Sequence, residues 1–204
     1  MDKEFARHYL EDTEDAMDLG EYFNRDLMHH YIIRQWGFHY PKYRDDSAPI
    51  AFYEFGVRAG SSFVWWVAGN NNPDSTFVGF DSFEGLPEEW EGGLGIMGPG
   101  AFSRQGRLPP IDDPRITWVP GWFEDTLPPY KFRRQHRSVY HIDCDLYSST
   151  VTVLDAIKPN LRFGDYIIFD DAGLGDEWKA FIEADIPYKP IMRAGCAVAV
   201  EVRP

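Results

Sequence analysis

Two short apolar runs that each end in a pair of acidic residues constrain the fold of this chain most strongly. The run Ser138–Ile142 leads into Asp143-Cys144-Asp145, and the run Tyr166–Phe169 leads into Asp170-Asp171. A helix-like segment separates them, so they form a strand-helix-strand unit with parallel strands and a right-handed crossover. In open parallel sheets, ligands bind outside the carboxyl ends of the strands. We therefore expect four carboxylates to meet at a ligand crevice.

The acidic cluster has two interpretations. Carboxylates brought this close repel one another, so the site keeps a proton, binds a cation or lies open to water. Mg²⁺ suits carboxylates combined with water and substrate oxygens, whereas zinc more often recruits Cys or His. Alternatively, Asp170-Asp171 opens a turn and Asp145 caps the helix that follows, as Asp commonly does. The residue pattern favours the metal site and leaves the capping interpretation open.

Composition narrows the class of protein and of partner. A chain of 204 residues is most simply one domain with its own core. Its formal net charge of -13 argues against binding of nucleic acid or anionic membrane, and favours a small-molecule partner. No apolar stretch approaches a membrane span and Met1–Glu4 does not resemble a secretory signal, so we expect a cytoplasmic protein. With only Cys144 and Cys196, no disulfide scaffold is expected.

Hydrophobic periodicity divides the chain into a helical start and a sheet-forming remainder. Residues 2–36 carry apolar side chains at spacings of three and four, which predicts one or two amphipathic helices. We assign residues 1–46 to an N-terminal helical segment that serves as a lid, as a dimer surface or as a layer packed on the sheet. Residues 47–204 are expected to form a single globular unit.

Within that unit, short apolar runs alternate with helical patterns, which is typical of a doubly wound α/β fold with a mostly parallel sheet. Residues 82–110 are rich in Gly and Pro and are predicted to contain no regular element. Loops of this length in a compact domain often cover a functional site. The seven predicted strands are residues 50–55, 76–80, 115–119, 139–142, 166–169, 188–192 and 197–202.

A glycine turn follows the first predicted strand. Gly56 and Gly60 could let a ligand approach the backbone and the amides of the next helix, although such glycines often serve turn geometry alone. Asp81, at the tip of the second strand, is where a carboxylate would hold a ribose diol. Together they predict an adenosine-containing cofactor. The turn lacks a triphosphate-binding pattern and departs from the dinucleotide fingerprint, which favours S-adenosylmethionine, with Glu54 near its ammonium group or in an ordinary ion pair.

Four ordered motifs carry a resemblance to a known family. They are Phe80–Pro87 (FDSFEGLP), Val119–Pro128 (VPGWFEDTLP), His141–Thr150 (HIDCDLYSST) and Phe169–Asp171 (FDD). In these strings the chain resembles the macrocin O-methyltransferase family, which are metal-dependent S-adenosylmethionine enzymes that methylate sugar hydroxyls in antibiotic biosynthesis. The resemblance implies a seven-stranded Rossmann-like methyltransferase sheet preceded by N-terminal helices.

The resemblance also implies roles for individual residues. Asp143, Asp170 and Asp171 would hold Mg²⁺, and Asp145 would be the general base for a hydroxyl of a vicinal diol in a sugar or natural product. The loop after Asp81 would close over this small-molecule acceptor. The residues expected to bind the cofactor are Glu54, Gly56, Gly60, Ser61, Ser62, Asp81, Ser82, Gly121, Trp122 and Asp143, with Gly121 and Trp122 bordering the adenine.

Other interpretations remain. The same carboxylates could serve a metal-dependent hydrolase or phosphoryl-transfer enzyme, although the chain shows no clear phosphate cradle. A module that binds the cofactor without catalysis is a third possibility, and self-association is plausible. His141 could act as a second base, but a hydrogen-bonded core histidine is the simpler expectation. The other candidate histidines, His29, His30 and His39, are expected to be solvated.

Overall fold

The computed structural model describes residues 9–20, 28–33, 48–92, 95–133 and 136–204. Much of the predicted N-terminal segment 1–46, including His39, lies outside the described residues. The parts of it that are described include helical turns at residues 9–12 and 28–33, as the apolar spacing predicts. The division into residues 1–46 and 47–204 stays a prediction.

The central sheet has eight strands, most of them parallel, so the predicted doubly wound class is confirmed. The strand order is β1-β9-β10-β8-β7-β2-β3-β6, and β10 is antiparallel to both of its neighbours. A further pair, β4 and β5, forms a separate antiparallel hairpin. The strands are β1 (Met17–Asp18), β2 (Ile50–Phe55), β3 (Thr76–Asp81), β4 (Trp90–Gly92), β5 (Gly95–Met97), β6 (Ile116–Pro120), β7 (Arg137–Ile142), β8 (Tyr166–Phe169), β9 (Tyr188–Ala194) and β10 (Ala197–Val202).

Two sequence predictions about the sheet were wrong. The prediction of seven strands missed β1, whose two residues lie in a segment predicted to be helical and pair in parallel with Met192 and Arg193. The prediction that residues 82–110 contain no element missed the β4–β5 hairpin. The side chain of Trp90 in that hairpin packs with Leu86 against Leu146, so tertiary contact rather than local pattern fixes its conformation.

The three longer helices, α1, α3 and α4, cover the two faces of the sheet with their buried residues. In α3 the buried residues Thr150, Val153, Leu154 and Ile157 recur at the spacing of an amphipathic helix. No helix in the described ranges is long and apolar enough to span a bilayer. The helices are α1 (Ser61–Gly69), α2 (Phe123–Thr126), α3 (Tyr147–Ile157) and α4 (Asp176–Glu183), with 3₁₀ turns at Lys158–Asn160 and Ala172–Leu174.

The sheet separates two hydrophobic cores. Every residue of β2 is buried, as expected for a parallel strand covered on both sides. Tyr53 and Phe55 belong to the core under α3 and α4, whereas Phe52 belongs to the core under α1. Because strand side chains alternate between faces, Glu54 projects toward the α1 side.

The topology places a crevice at the ends of β2 and β7. Chain order runs outward from β2 through β3 to β6 on one side, and from β7 to β8 on the other. Backbone hydrogen bonds join the strand ends: the amide of Asp143 donates to the carbonyl of Phe55 at 2.9 Å, and that of Asp170 to Ile142 at 3.0 Å. The predicted acidic clusters therefore meet at the point where the strand order reverses, which is where such sheets bind ligands.

Gly56 is required by this junction of strand ends. It has φ +95°, and a Cβ built on it would lie 1.7 Å from the carbonyl oxygen of Asp143. Gly95 has a similar φ of +99° with nothing within 4 Å. We expect Gly56→Ala to reduce the free energy of unfolding by at least about 2 kcal/mol more than Gly95→Ala, because both add backbone strain but only the first adds a collision. Urea denaturation measures both; equal losses would contradict the close-approach role.

Candidate functional site

A cavity of about 840 Å³ opens at the carboxyl edge of the sheet. It brings together most of the predicted site residues from five different chain segments. Among the described residues that line it, Arg58 is the one cation. Four of the acids, Asp143, Asp145, Asp170 and Asp171, form what we call the acidic wall. The predicted site residues in its lining are Gly56, Asp81, Ser82, Gly121, Trp122, Asp143, Asp145, Asp170 and Asp171.

The acidic wall offers two overlapping sets of cation ligands. Asp143, Asp145 and Asp171 each place one carboxylate oxygen within 4.8 Å of the others. Asp143 also belongs to a second set with His141 and Asp170 at the same spacing. Asp170 and Asp171 thus fall in different sets around the shared Asp143, an arrangement that adjacent residues in the sequence do not reveal.

The donor atoms of this wall suit a hard cation. They are mainly carboxylate oxygens, which Mg²⁺ prefers, and the thiol between the aspartates takes no part. Cys144 is buried and its Sγ lies 3.4 Å from the hydroxyl of Thr150. Burial raises the pKa of the neighbouring Glu177, and the negative charges of Asp171, Asp143 and Asp145 raise it further. An accumulation of negative charge this strong is what a bound divalent ion would neutralise.

His141 is buried below the acidic wall rather than exposed to the cavity. It pairs in register with Glu54 across β2 and β7. Its Nδ1 lies 3.5 Å from Glu54 Oε1, and its Nε2 lies 3.9 Å from Asp170 Oδ1. Neither ring nitrogen has a hydrogen-bond partner among the described residues. Its depth fits the expected core histidine rather than a base that contacts substrate, but the expected hydrogen bonds to its ring are not among the described contacts.

Asp81 lines the same cavity from the end of β3, which β2 separates from β7. Its Oδ2 accepts the backbone N–H of Arg58 and its Oδ1 that of Phe83, both at 2.6 Å. Burial raises the pKa of Asp81, and these N–H donors act against that rise. A carboxylate has more acceptor sites than its backbone donors fill here, so Asp81 can still accept a hydrogen bond from a diol in the cavity.

Four of the predicted cofactor residues do not line the cavity. Glu54 is fully buried and its Oε1 accepts a short hydrogen bond from the hydroxyl of Ser62. Ser61 begins α1 and is exposed. Gly60 faces Pro109 and Ile111, and a Cβ there would lie 2.9 Å from Ile111 Cδ1. These residues support the turn behind the cavity wall.

Aromatic side chains from the 82–110 segment and from α2 form the outer wall of the cavity. Trp90 and Phe102 line it together with Trp122, which is 38% exposed. The guanidinium of Arg58 lies 5.1 Å from the ring centroid of Phe102, within the range of a cation–π contact. The segment predicted to cover the site therefore contributes a wall to it.

The expectation that the N-terminal histidines are solvated was wrong for His29. Its side chain is buried, and its Nδ1 accepts the indole N–H of Trp66 at 2.9 Å. The ring also stands edge-on to His141, with 4.8 Å between centroids. His30 is half-buried. The pair of adjacent histidines gave no signal as to which one would face the sheet.

Sequence reasoning missed Glu177, a fully buried acid in the first turn of α4. Its carboxylate accepts backbone N–H groups from the turns after β7 and after β8. An acid at a helix start is ordinarily explained by the helix dipole, so its type and position did not indicate a buried role.

The two cysteines are expected to react differently with a thiol reagent. Burial, followed by the charge of Glu177, raises the pKa of the Cys144 thiol well above its usual range, which suppresses the reactive thiolate. Cys196 is exposed at the cavity. We expect Ellman's reagent to modify one thiol per native chain and two after denaturation, with Cys196→Ser abolishing the native reaction. Native reaction of both thiols would contradict the described burial of Cys144.

Comparison with known proteins bears on the predicted family. Residues 101–189 match the family described as Macrocin-O-methyltransferase (TylF). The 8-demethyl-8-(2,3-dimethoxy-alpha-L-rhamnosyl)-tetracenomycin-C 4'-O-methyltransferase of Streptomyces olivaceus is 31% identical over 147 residues, which are 62% of this chain and 54% of that protein. The chain thus spans about half the length of the curated relatives it matches.

Solved structures share the fold. The O-methyltransferase NovP superimposes with a TM-score of 0.60 at 24% identity, over 86% of this chain and 79% of NovP. The O-methyltransferase TomG from Streptomyces achromogenes, in complex with SAM, gives 0.54 at 14% identity, over 100% and 92% of the two chains. The fold is thus that of the methyltransferases, and residues 101–189 match the macrocin O-methyltransferase family that the motifs predict.

Proposed function

We propose that this protein is an S-adenosylmethionine-dependent, Mg²⁺-dependent O-methyltransferase that acts on a hydroxyl of a vicinal diol in a sugar or natural-product glycoside. The observation that carries the proposal is one cavity whose lining includes both Asp81 and the acidic cluster, with β2 between the strands that carry them. A methyl donor held at Asp81 would share this cavity with an acceptor bound to Mg²⁺ on Asp143, Asp170 and Asp171.

The cofactor assignment is supported by the position of Asp81 in the fold. It ends β3, next to the strand that carries the glycine turn, where related sheets bind the ribose of a nucleotide. The neighbour TomG is named as a complex with SAM. Gly121 and Trp122 line the same side of the cavity and are proposed to border the adenine.

Asp145 is proposed as the general base. It lies in the cavity within 4.8 Å of two other carboxylates, at φ +63°, so its backbone turns sharply after Cys144. When bound, Mg²⁺ would lower the pKa of a substrate hydroxyl and fix its orientation. Asp145 would accept the hydroxyl proton while the oxygen attacks the sulfonium methyl in line; the bond from that methyl to sulfur breaks, its electron pair stays on sulfur, and S-adenosylhomocysteine leaves. Positioning by the cavity walls would supply much of the rate.

The acceptor class is supported by the relatives and by the shape of the site. The Streptomyces olivaceus protein is named for methylation of a rhamnosyl group. Trp90, Phe102 and Trp122 offer aromatic surfaces beside the acidic wall, and such surfaces suit the apolar faces of a glycoside. A cytoplasmic location, the absence of nucleic-acid and membrane partners, and a homo-oligomeric state stay predictions.

The proposal is tested by calorimetric titration with S-adenosylmethionine and by methyl transfer to rhamnosides that carry a vicinal diol. We expect binding in the micromolar range, and transfer that EDTA abolishes and Mg²⁺ restores. Transfer that persists in EDTA would contradict the metal requirement. Failure to bind the cofactor would contradict the methyltransferase assignment and return the carboxylates to a hydrolytic interpretation.

A further inference from the structure

Glu177 joins the two acidic turns from below. Its Oε1 accepts the N–H groups of Cys144 and Asp145, each at 3.2 Å, and its Oε2 accepts that of Asp171 at 3.0 Å. One side chain from α4 thereby bonds to the turn that follows β7 and to the turn that follows β8. The register pairs between β7 and β8 end at Ile142 and Phe169, before the two turns begin. The pairing of the strands therefore does not provide this link between the turns.

The position of Glu177 is costly, which indicates a specific role. A carboxylate with 0% exposure loses its hydration, and here it also faces the charges of neighbouring aspartates. Three N–H donors offset part of that cost. The adjacent Asp176 is also in the first turn of α4 and could serve the helix dipole alone. The helix dipole therefore does not account for burying a second acid, Glu177. Its hydrogen bonds to the two turns do.

We propose that Glu177 is a positioning residue that fixes the turns after β7 and β8, so that the carboxylates of Asp143 and Asp171 converge on a divalent cation while Asp145 is held toward the acceptor. The inference rests on the proposed function. Asp145 has φ +63°, a left-handed conformation that a non-glycine residue adopts at a cost. The bond from its N–H to Glu177 helps to hold that conformation. Outer residues that orient ligands in this way typically change metal affinity by about 10- to 100-fold when replaced.

The test measures Mn²⁺ affinity by electron paramagnetic resonance in the wild-type chain and three variants. Glu177→Gln keeps one acceptor oxygen but turns an NH₂ group toward one of the two turns. Glu177→Asp keeps the charge but is one methylene too short to reach both turns. Glu183→Gln is the matched control, because it removes the same charge from the exposed side of the same helix, where it accepts from the Tyr147 hydroxyl.

We expect both Glu177 variants to weaken Mn²⁺ binding by about 10- to 100-fold, with S-adenosylmethionine affinity and the Glu183→Gln variant unchanged. A purely structural role would lower the unfolding midpoint but leave the Mn²⁺ affinity of the folded protein intact, and this result would overturn the inference. If Glu177→Asp binds Mn²⁺ as tightly as the wild-type chain, a carboxylate that cannot reach both turns is sufficient. This result would also overturn the positioning inference.

The failure of the inference is distinguishable from failure of the proposed function. If the wild-type chain does not bind Mn²⁺, the metal requirement itself is wrong and the inference falls with it. If the variants do not fold, amide hydrogen exchange in the wild-type chain tests whether Glu177 holds the two turns. We expect the amides of Asp145 and Asp171 to be protected by their bonds to Glu177; rapid exchange of both would overturn the positioning role.

Discussion

Asp145→Asn is expected to lower the turnover of methyl transfer by about 10²- to 10⁴-fold, the usual contribution of a general base. The amide cannot accept the hydroxyl proton. Asn tolerates the left-handed region about as well as Asp, so the sharp turn at φ +63° should persist. The affinity for S-adenosylmethionine is expected to stay unchanged, because the proposed contact with the cofactor is made by Asp81 and not by Asp145.

Steady-state kinetics with saturating cofactor and Mg²⁺ measure this effect. Asp155→Asn is the matched control, because Asp155 lies on the exposed side of α3, outside the cavity lining. Turnover within a few-fold of the wild-type value in Asp145→Asn would remove Asp145 from the base role. An equal loss in both variants would point to a general effect on α3.

Asp81→Asn is expected to raise the dissociation constant for S-adenosylmethionine by about 10- to 100-fold. A hydrogen bond to a charged acceptor is worth about 1.5–3 kcal/mol, and about 1.4 kcal/mol corresponds to a factor of ten. The amide keeps one oxygen but places an NH₂ group toward the N–H of Arg58 or of Phe83. Asn is preferable to Ala, which would leave both of these backbone donors without their present acceptor.

Calorimetry of Asp81→Asn against Asp74→Asn tests this prediction, since Asp74 is exposed just before the opposite end of β3. The wild-type affinity should also fall on acidification. The ionised carboxylate is the form proposed to accept the ribose hydroxyls, and burial raises the pKa of Asp81, so the affinity should be lost at a higher pH than an ordinary Asp would require. Equal affinities in the two variants would exclude Asp81 from the cofactor site.

The strands that carry the site could be predicted because their sequence is dictated by burial. β8 is a continuous apolar run, and β2 is apolar except for Glu54; every residue of both strands is buried, as expected for parallel strands covered on both faces. Topology then requires the residues after β7 and β8 to meet. This is why the sequence alone predicts that Asp143 and Asp170 lie together. The convergence of carboxylates is thus a consequence of strand order.

The features that were missed depend on contacts between distant segments. β1 has two exposed residues, and its strand conformation comes from pairing with β9, some 175 residues away along the chain. The role of Glu177 depends on the path of two turns, and so does the division of Asp170 and Asp171 between two ligand sets. Local propensity carries no information about such pairings, because the partner is not in the same stretch of sequence.

The place of β10 in the sheet has a consequence for synthesis on the ribosome. β10 lies between β8 and β9, so β9 cannot join the ladder until residues 197–202 have been translated. The turn between β9 and β10, with Gly195 and Cys196, is part of the cavity wall. The carbonyl of Cys196 accepts a hydrogen bond from the amide of Gly173 at 2.9 Å. A nascent chain therefore lacks a complete binding surface until β10 has emerged, and its ligands can stabilise it only from that moment.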